Sequence, residues 1–189
     1  MTNTEVFPVT RPRVLLLPGW LNSDASHWQS RWEQLHGDQR VGQDDWEWPK
    51  RGDWMARLED VLLQSETPAV LVAHSLGCHL VAAWAAHSKN TQRVKAAMLV
   101  ALPDIEREEM PPQLAPWRPV LRKRLPFPSI AVLSSNDPYA TPERAAQMAA
   151  DWGSELMLVG AHGHINGESG LGDWPQGRAM LQALLGVNR

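Results

Sequence analysis

The stretch Ala69-Val70-Leu71-Val72-Ala73-His74-Ser75-Leu76-Gly77 runs directly into Cys78-His79-Leu80-Val81-Ala82-Ala83-Trp84-Ala85-Ala86. Its first four residues are pure strand formers, and the residues from His79 onward read as a helix. Between them a serine has Ala73 two positions before it and Gly77 two positions after it. A strand that turns straight into a helix around a serine flanked in this way is a nucleophile elbow. The turn is so tight that the serine takes a strained backbone conformation and only small residues fit beside it. That strain lifts the hydroxyl clear of the sheet and sets the amide of Leu76 near the carbonyl to be attacked. The string alone is short, and Ala73 stands where glycine is usual; the flanking strand and helix give it its meaning.

Working outward, five more apolar runs read as strands: Arg13–Pro18, about Arg40–Trp46, Val94–Ala101, Ser129–Ser134 and Leu156–Val159. Most are apolar on both faces, the pattern of a parallel sheet covered by helices. Ser26-His27-Trp28-Gln29 has the spacing of a capping box, followed by Trp28, Trp32 and Leu35 at helical intervals. Asp53 is placed to cap a helix with the apolar stripe Trp54, Leu58, Val61 and Leu62. Thr141-Pro142 begins a helix that Gly153 suits as a stop, and Pro175 and Gly186 bracket a last one. Strands alternating with helices imply right-handed crossovers and a doubly wound α/β sheet, with residues 1–189 as one domain.

The segment 103–128 breaks this rhythm. It carries seven of the 15 prolines, an acidic start (Asp104, Glu106, Glu108, Glu109) and a basic end (Arg118, Arg122, Lys123, Arg124). It reads as a proline-stiffened surface loop with solvated charges, or as a small flap over the serine.

Composition excludes several classes. A net charge of −3 and a pI near 6.1 give no case for nucleic acid or an anionic membrane as partner. The single cysteine, Cys78, excludes an intrachain disulfide framework and fits a reducing interior, so the cytoplasm is the expected location. The polar start, Met1 to Arg13, is not that of a signal peptide, and no run approaches the length of a membrane span. Ten tryptophans stand against two phenylalanines and one tyrosine. Most are expected in the core; Trp20, Trp46 and Trp48, at strand ends or loops, are candidates for the walls of an apolar pocket.

A serine hydroxyl needs an adjacent base, which a carboxylate in turn orients. An elbow serine finds these later in the chain, in the order Ser, Asp, His, at the carboxyl ends of strands. Asp137 follows the run Ser129–Ser134, and His164 follows Leu156–Val159 in the glycine-rich loop Gly160-Ala161-His162-Gly163-His164. Each alone also suits a turn, capping or polar loop position. Asp104 is a competing carboxylate and His162 a competing base. His74 should point away from Ser75, His79 should be packed or capping, and Cys78 should be a small core residue. A metal site on His162-Gly163-His164 would need a third ligand, and only Glu168 is near in sequence. The oxyanion requires preorganised donors. Leu76 is the first; in Leu17-Pro18-Gly19-Trp20-Leu21, proline cannot donate, so Trp20 is the first choice for the second and Leu21 the next. Gly19 allows close approach of the backbone.

These residues resemble the small lidless α/β-hydrolases grouped with retinoblastoma-binding protein 9 and its bacterial relatives, from about Val14 to Gly186. The matching motifs include Leu17-Pro18-Gly19-Trp20, Trp48-Pro49, Asp53-Trp54, His74-Ser75-Leu76-Gly77, Asp137-Pro138-Tyr139 and Gly163-His164-Ile165-Asn166. Ser169-Gly170-Leu171-Gly172-Asp173-Trp174-Pro175 is the most specific, having no catalytic logic of its own. The resemblance implies an α/β-hydrolase fold of about six mostly parallel strands in the order 2-1-3-4-5-6, with helices on both faces. It implies Ser75, Asp137 and His164 as the triad and selects His164 over His162. The activity it implies is hydrolysis of a small ester or amide, with no metal or cofactor. Gly19, Leu21, Trp46 and Trp48 are the candidate pocket residues. A protein-binding role on an inactive scaffold is the alternative, against which the intact Ser, Asp and His argue.

Overall fold

Alternation along the strands sets the architecture. Leu15 and Leu17 face one side of the sheet and Leu16 the other; Leu71 and Ala73 oppose Val70 and Val72 in the same way. The computed structural model describes residues 11–186. The polar N-terminal stretch read above for a leader lies largely outside them. Six strands form one sheet: β1 (Arg13–Leu17), β2 (Gln39–Arg40), β3 (Ala69–His74), β4 (Val94–Val100), β5 (Ser129–Leu133) and β6 (Glu155–Leu158). All neighbours are parallel, in the order β2-β1-β3-β4-β5-β6. Five helices cover it: α1 (Trp28–His36), α2 (Arg51–Leu63), α3 (Leu76–His87), α4 (Pro142–Trp152) and α5 (Pro175–Leu184). One face packs against α2, α3 and α4, the other against α1 and α5. None of the described helices is long and apolar enough to cross a membrane.

Several local expectations shift. The run about Arg40–Trp46 is a strand only at Gln39–Arg40. Its last ladder bond is Val41 N–H to the Leu16 carbonyl, after which the turn-forming residues Gly42, Asp44 and Asp45 take the chain off the edge. The cap of α1 is His27 rather than Ser26: its Nδ1 accepts from the Gln29 amide, while Ser26 is held by Asp24. Leu35 is exposed. Helix α2 begins at Arg51, which puts Asp53 in the first turn, where its charge suits the helix dipole, rather than at the cap. Thr141 does cap α4, and Gly153 closes it in the left-handed conformation.

The tryptophans act as rivets. Trp28, Trp32, Trp54, Trp117 and Trp152 are buried, and each indole N–H donates to a backbone carbonyl on another segment: Ile165, Asp173, Asp45, Pro49 and Leu121 respectively. A phenylalanine could also bury a ring there but would leave those carbonyls unpaired, at a cost of about 1–3 kcal/mol each.

The segment 103–128 is anchored to the body of the protein, and part of it, Pro103, Met110, Pro111 and Leu114, reaches the side of the sheet where Ser75 stands. Ile105, Leu114, Trp117, Val120, Leu125 and Phe127 are buried in the core layer of α2–α4. Several of its charges are paired: Arg144 bridges Asp104 and Glu106, and Arg122 reaches Glu106. Arg118 donates to the carbonyls of Ile105 and Arg107, closing the segment on itself.

Candidate active site

Ser75 stands at the junction of β3 and α3 with φ 54° and ψ −124°, a region L-residues avoid unless the surroundings impose it. Here they do: its amide donates to the Val100 carbonyl, and its own carbonyl accepts from Cys78. A Cβ on Gly77 would lie 2.3 Å from the Leu17 carbonyl oxygen, so only glycine lets α3 leave β3 this close to β1. Ala73 is completely buried and fits without conflict.

His164 Nε2 lies 2.8 Å from Ser75 Oγ, and its Nδ1 lies 3.0 and 2.9 Å from the two Asp137 carboxylate oxygens. The Asp137 carboxylate accepts the Tyr139 amide as well, and the Tyr139 ring packs edge-on against the His164 imidazole. Both side chains of the His164–Asp137 pair are over nine-tenths buried. The competing residues lie elsewhere: Asp104 turns to Arg144, and His162 is half-buried beyond the serine's cleft. No group of three or more His, Cys, Asp or Glu that could hold a metal occurs among the described residues.

The turn after β1 presses against the elbow: a Cβ on Gly19 would lie 2.8 Å from Ser75 Cβ and 3.2 Å from the Leu76 nitrogen. Leu21 donates its amide to the Trp46 carbonyl, which removes it as a free donor. The amides of Leu76 and Trp20 have no protein acceptor among the described residues. These groups open into a cleft of about 340 Å³ that includes Gly19, Trp20, Leu21, Ser75, Leu76 and His164. Trp46 and Trp48 do not line it. The Asp45 carboxylate caps a turn by accepting the Glu47 and Trp48 amides, carrying Trp48 out to solvent, while Trp46 packs edge-on against Trp54.

A model of the serine hydrolase family matches residues 14–183. The chain belongs to the serine hydrolase family. A YdeN-like hydrolase from Pectobacterium atrosepticum is similar at 30% identity, with 92% of this chain and 90% of that one covered and a TM-score of 0.81. The ydeN gene product of Bacillus subtilis superposes with a TM-score of 0.70 at 17% identity, covering 93% and 100%. The Bacillus subtilis carboxylesterase CesB does so at 0.64 and 16%, covering 95% and 85%. The two more distant likenesses speak to the fold, which is that of the α/β-hydrolases. A search of the curated proteins returned no match.

Sequence reasoning missed what holds this hydrolase's two loops together. His74 does point away from Ser75, but its Nε2–H donates to the His164 carbonyl at 2.8 Å, and its ring stands edge-on to the His164 ring. Asn136 accepts the Gly163 amide at 2.7 Å, and the Ser134 hydroxyl accepts the His162 amide at 2.9 Å. The signal in the sequence was a polar residue buried in an apolar run (His74) and two polar residues where a strand ends.

Burial keeps the supporting histidines neutral. It lowers the pKa of His74 well below its ordinary value and that of His27, beside it, to about 4. His79 donates to the Pro103 carbonyl and packs on Trp152, its pKa lowered by burial to about 4. Burial raises the Cys78 thiol, which sits in the core as an inert small residue.

Proposed function

We propose that this serine hydrolase is a carboxylesterase acting on small esters through an acyl-enzyme on Ser75. The observation that carries the reading is the continuous hydrogen-bonded chain from Ser75 Oγ through His164 to Asp137, at the floor of an open cleft. His164 Nε2 takes the Ser75 proton as Oγ attacks the ester carbonyl, and the amides of Leu76 and Trp20 receive the oxyanion. His164 then passes the proton to the departing alcohol. Water, activated by the same nitrogen, releases the acid and restores the serine. Asp137 holds the imidazole in the tautomer with its proton on Nδ1 and stabilises the imidazolium.

The likeness to CesB, a carboxylesterase, favours an ester over other acyl substrates. The motifs through Asp173-Trp174-Pro175 support a finer placement beside retinoblastoma-binding protein 9. A single buried thiol fits a reducing cytoplasm. The mechanism calls on no cofactor.

The test is a fluorophosphonate probe, with the adduct located by peptide mass spectrometry in wild type and Ser75→Ala. Labelling confined to Ser75, together with ester turnover that Ser75→Ala abolishes, is the expected result. Absence of labelling in well-folded protein would retire the esterase reading in favour of a binding scaffold.

A further inference from the structure

The cleft over Ser75 has two unlike walls, and they rise from opposite faces of the sheet. Pro103, Met110, Pro111 and Leu114 belong to the segment that packs into the core layer of α2–α4. Asn22, Asp24, Asn166 and Glu168 flank the side of α1 and of Ile165, in the other layer. One wall is apolar and the other polar.

The position of His164 decides which half of an ester meets which wall. The departing alcohol must receive its proton from Nε2, so it lies toward the loop that carries His164. The residues that follow in that loop, Asn166 and Glu168, line the polar wall. The acyl chain, on the other side of the carbonyl carbon, then faces the apolar wall. We propose that Met110, Pro111 and Leu114 form the acyl-chain subsite, and that Met110 and Leu114 restrict it to short linear chains. This assignment rests on the esterase reading above.

The wall is built to hold its position. Leu114 is 3% exposed and its amide donates to the Pro111 carbonyl. Just beyond it, Trp117 Nε1–H donates to the Pro49 carbonyl at 2.8 Å, and Arg118 ties the segment to Ile105 and Arg107. A side chain anchored this way does not withdraw to admit a longer ligand, because packed interiors yield little. A cleft of about 340 Å³ is near the small end for ligand sites. Within the limit each added methylene is worth about fourfold in kcat/KM; past it the chain must bend into solvent or collide.

The experiment is a kcat/KM profile over p-nitrophenyl esters from acetate to decanoate, for wild type, Met110→Ala, Met110→Phe and Leu114→Ala. Wild type is expected to rise to a short-chain maximum and then fall. Met110→Ala and Leu114→Ala should move that maximum to longer chains by about two or three carbons, and Met110→Phe to shorter ones. Met110 is only partly buried, so its two variants keep the test sound if Leu114→Ala fails to fold. A maximum at the same chain length in both Met110 variants, with turnover still dependent on Ser75, overturns the subsite alone. No ester turnover by folded wild type overturns the subsite and the esterase reading together.

Discussion

His74 Nε2–H donates to the backbone carbonyl of His164 across 90 positions of sequence, at 2.8 Å, with both residues buried. The residue next to Ser75 thus holds the main chain of the residue proposed as its base. The elbow and the loop after β6 are thereby tied together, and the 2.8 Å contact between Ser75 Oγ and His164 Nε2 does not depend on side-chain torsions alone. His74 is a positioning residue. His74→Ala should lower kcat by about 10–100-fold with KM little changed, since a misplacement near 1 Å costs about that much. His74→Gln, whose amide nitrogen reaches the place of Nε2, should recover most of the loss. A merely structural role would be expressed in thermal stability; equal kcat for the Ala and Gln variants, after correction for folded fraction, would rule out positioning.

Asp137 and Asp104 both follow strands, and the fold separates them by their partners. Asp137 faces the His164 imidazole, whereas Asp104 faces the Arg144 guanidinium. Asp137→Asn should drop kcat by about 10⁴, because an amide can donate to Nδ1 and stabilise the wrong tautomer. Asp104→Asn removes one partner of a partly exposed ion pair and should cost about 1 kcal/mol of stability or less, with activity near wild type. Steady-state kinetics on a single ester decides between them, and the reverse ranking would move the acid to the Asp104 loop.

What could be read ahead of the fold was whatever is local. Ser75 announces itself because its strand, turn and helix are contiguous. Asp137 and His164 follow from order along the chain, and the structure brings all three into contact. The strand at Gln39–Arg40 was overextended because Val41 and Trp46 look like the ends of one apolar run, although the polar residues between them cannot be buried on both faces. Trp46 and Trp48 were misplaced for a related reason: which way a loop tryptophan turns is set by its tertiary neighbours, Trp54 and the Asp45 turn. The direction of His74, away from Ser75, was legible, but its bond was not, because its partner comes 90 residues later.

Acid should unfold this protein through its histidines. Burial holds His27 and His79 at pKa values of about 4 and His74 well below its usual range. In the unfolded chain these rings titrate near 6.5. Above that pH neither state binds the protons, and they have no effect on stability. As the pH falls from about 6.5 to about 4 the unfolded chain takes up protons that the fold refuses, so stability is lost across that window. For His27 and His79 the loss is on the order of 3 kcal/mol each, and His74 adds to it in the same direction. Asp38 works in the opposite sense, since burial raises its pKa and the fold then holds that proton more tightly. Urea midpoints measured from pH 7 to pH 4 should fall steeply below 6.5. His79→Leu should start less stable, having lost its bond to Pro103, yet show a shallower slope. A midpoint constant from pH 7 to 4.5 would contradict neutral burial.

The charge of the cleft should select among esters of similar size. Asp24 and Glu168 both line it, and none of its lining residues is Lys or Arg. A substrate carrying a carboxylate therefore enters a negative field with no lining cation to receive it. At separations of several ångströms near a protein surface, two such repulsions amount to about 1.4 kcal/mol, or about tenfold in kcat/KM. The butyrate ester of 3-hydroxy-4-nitrobenzoic acid, which carries its carboxylate on the alcohol half, should be turned over about tenfold more slowly than o-nitrophenyl butyrate at low ionic strength, after correction for their alkaline hydrolysis rates. Because the interaction is screened over about 8 Å at 0.15 M salt, the gap should narrow as salt is added. Glu168→Gln should close part of it, and Asp24→Asn, whose amide oxygen can still accept from Ser26, should close more in combination. Equal rates for the two esters at low salt, or a gap that neither salt nor the double variant alters, would show that shape rather than charge governs entry.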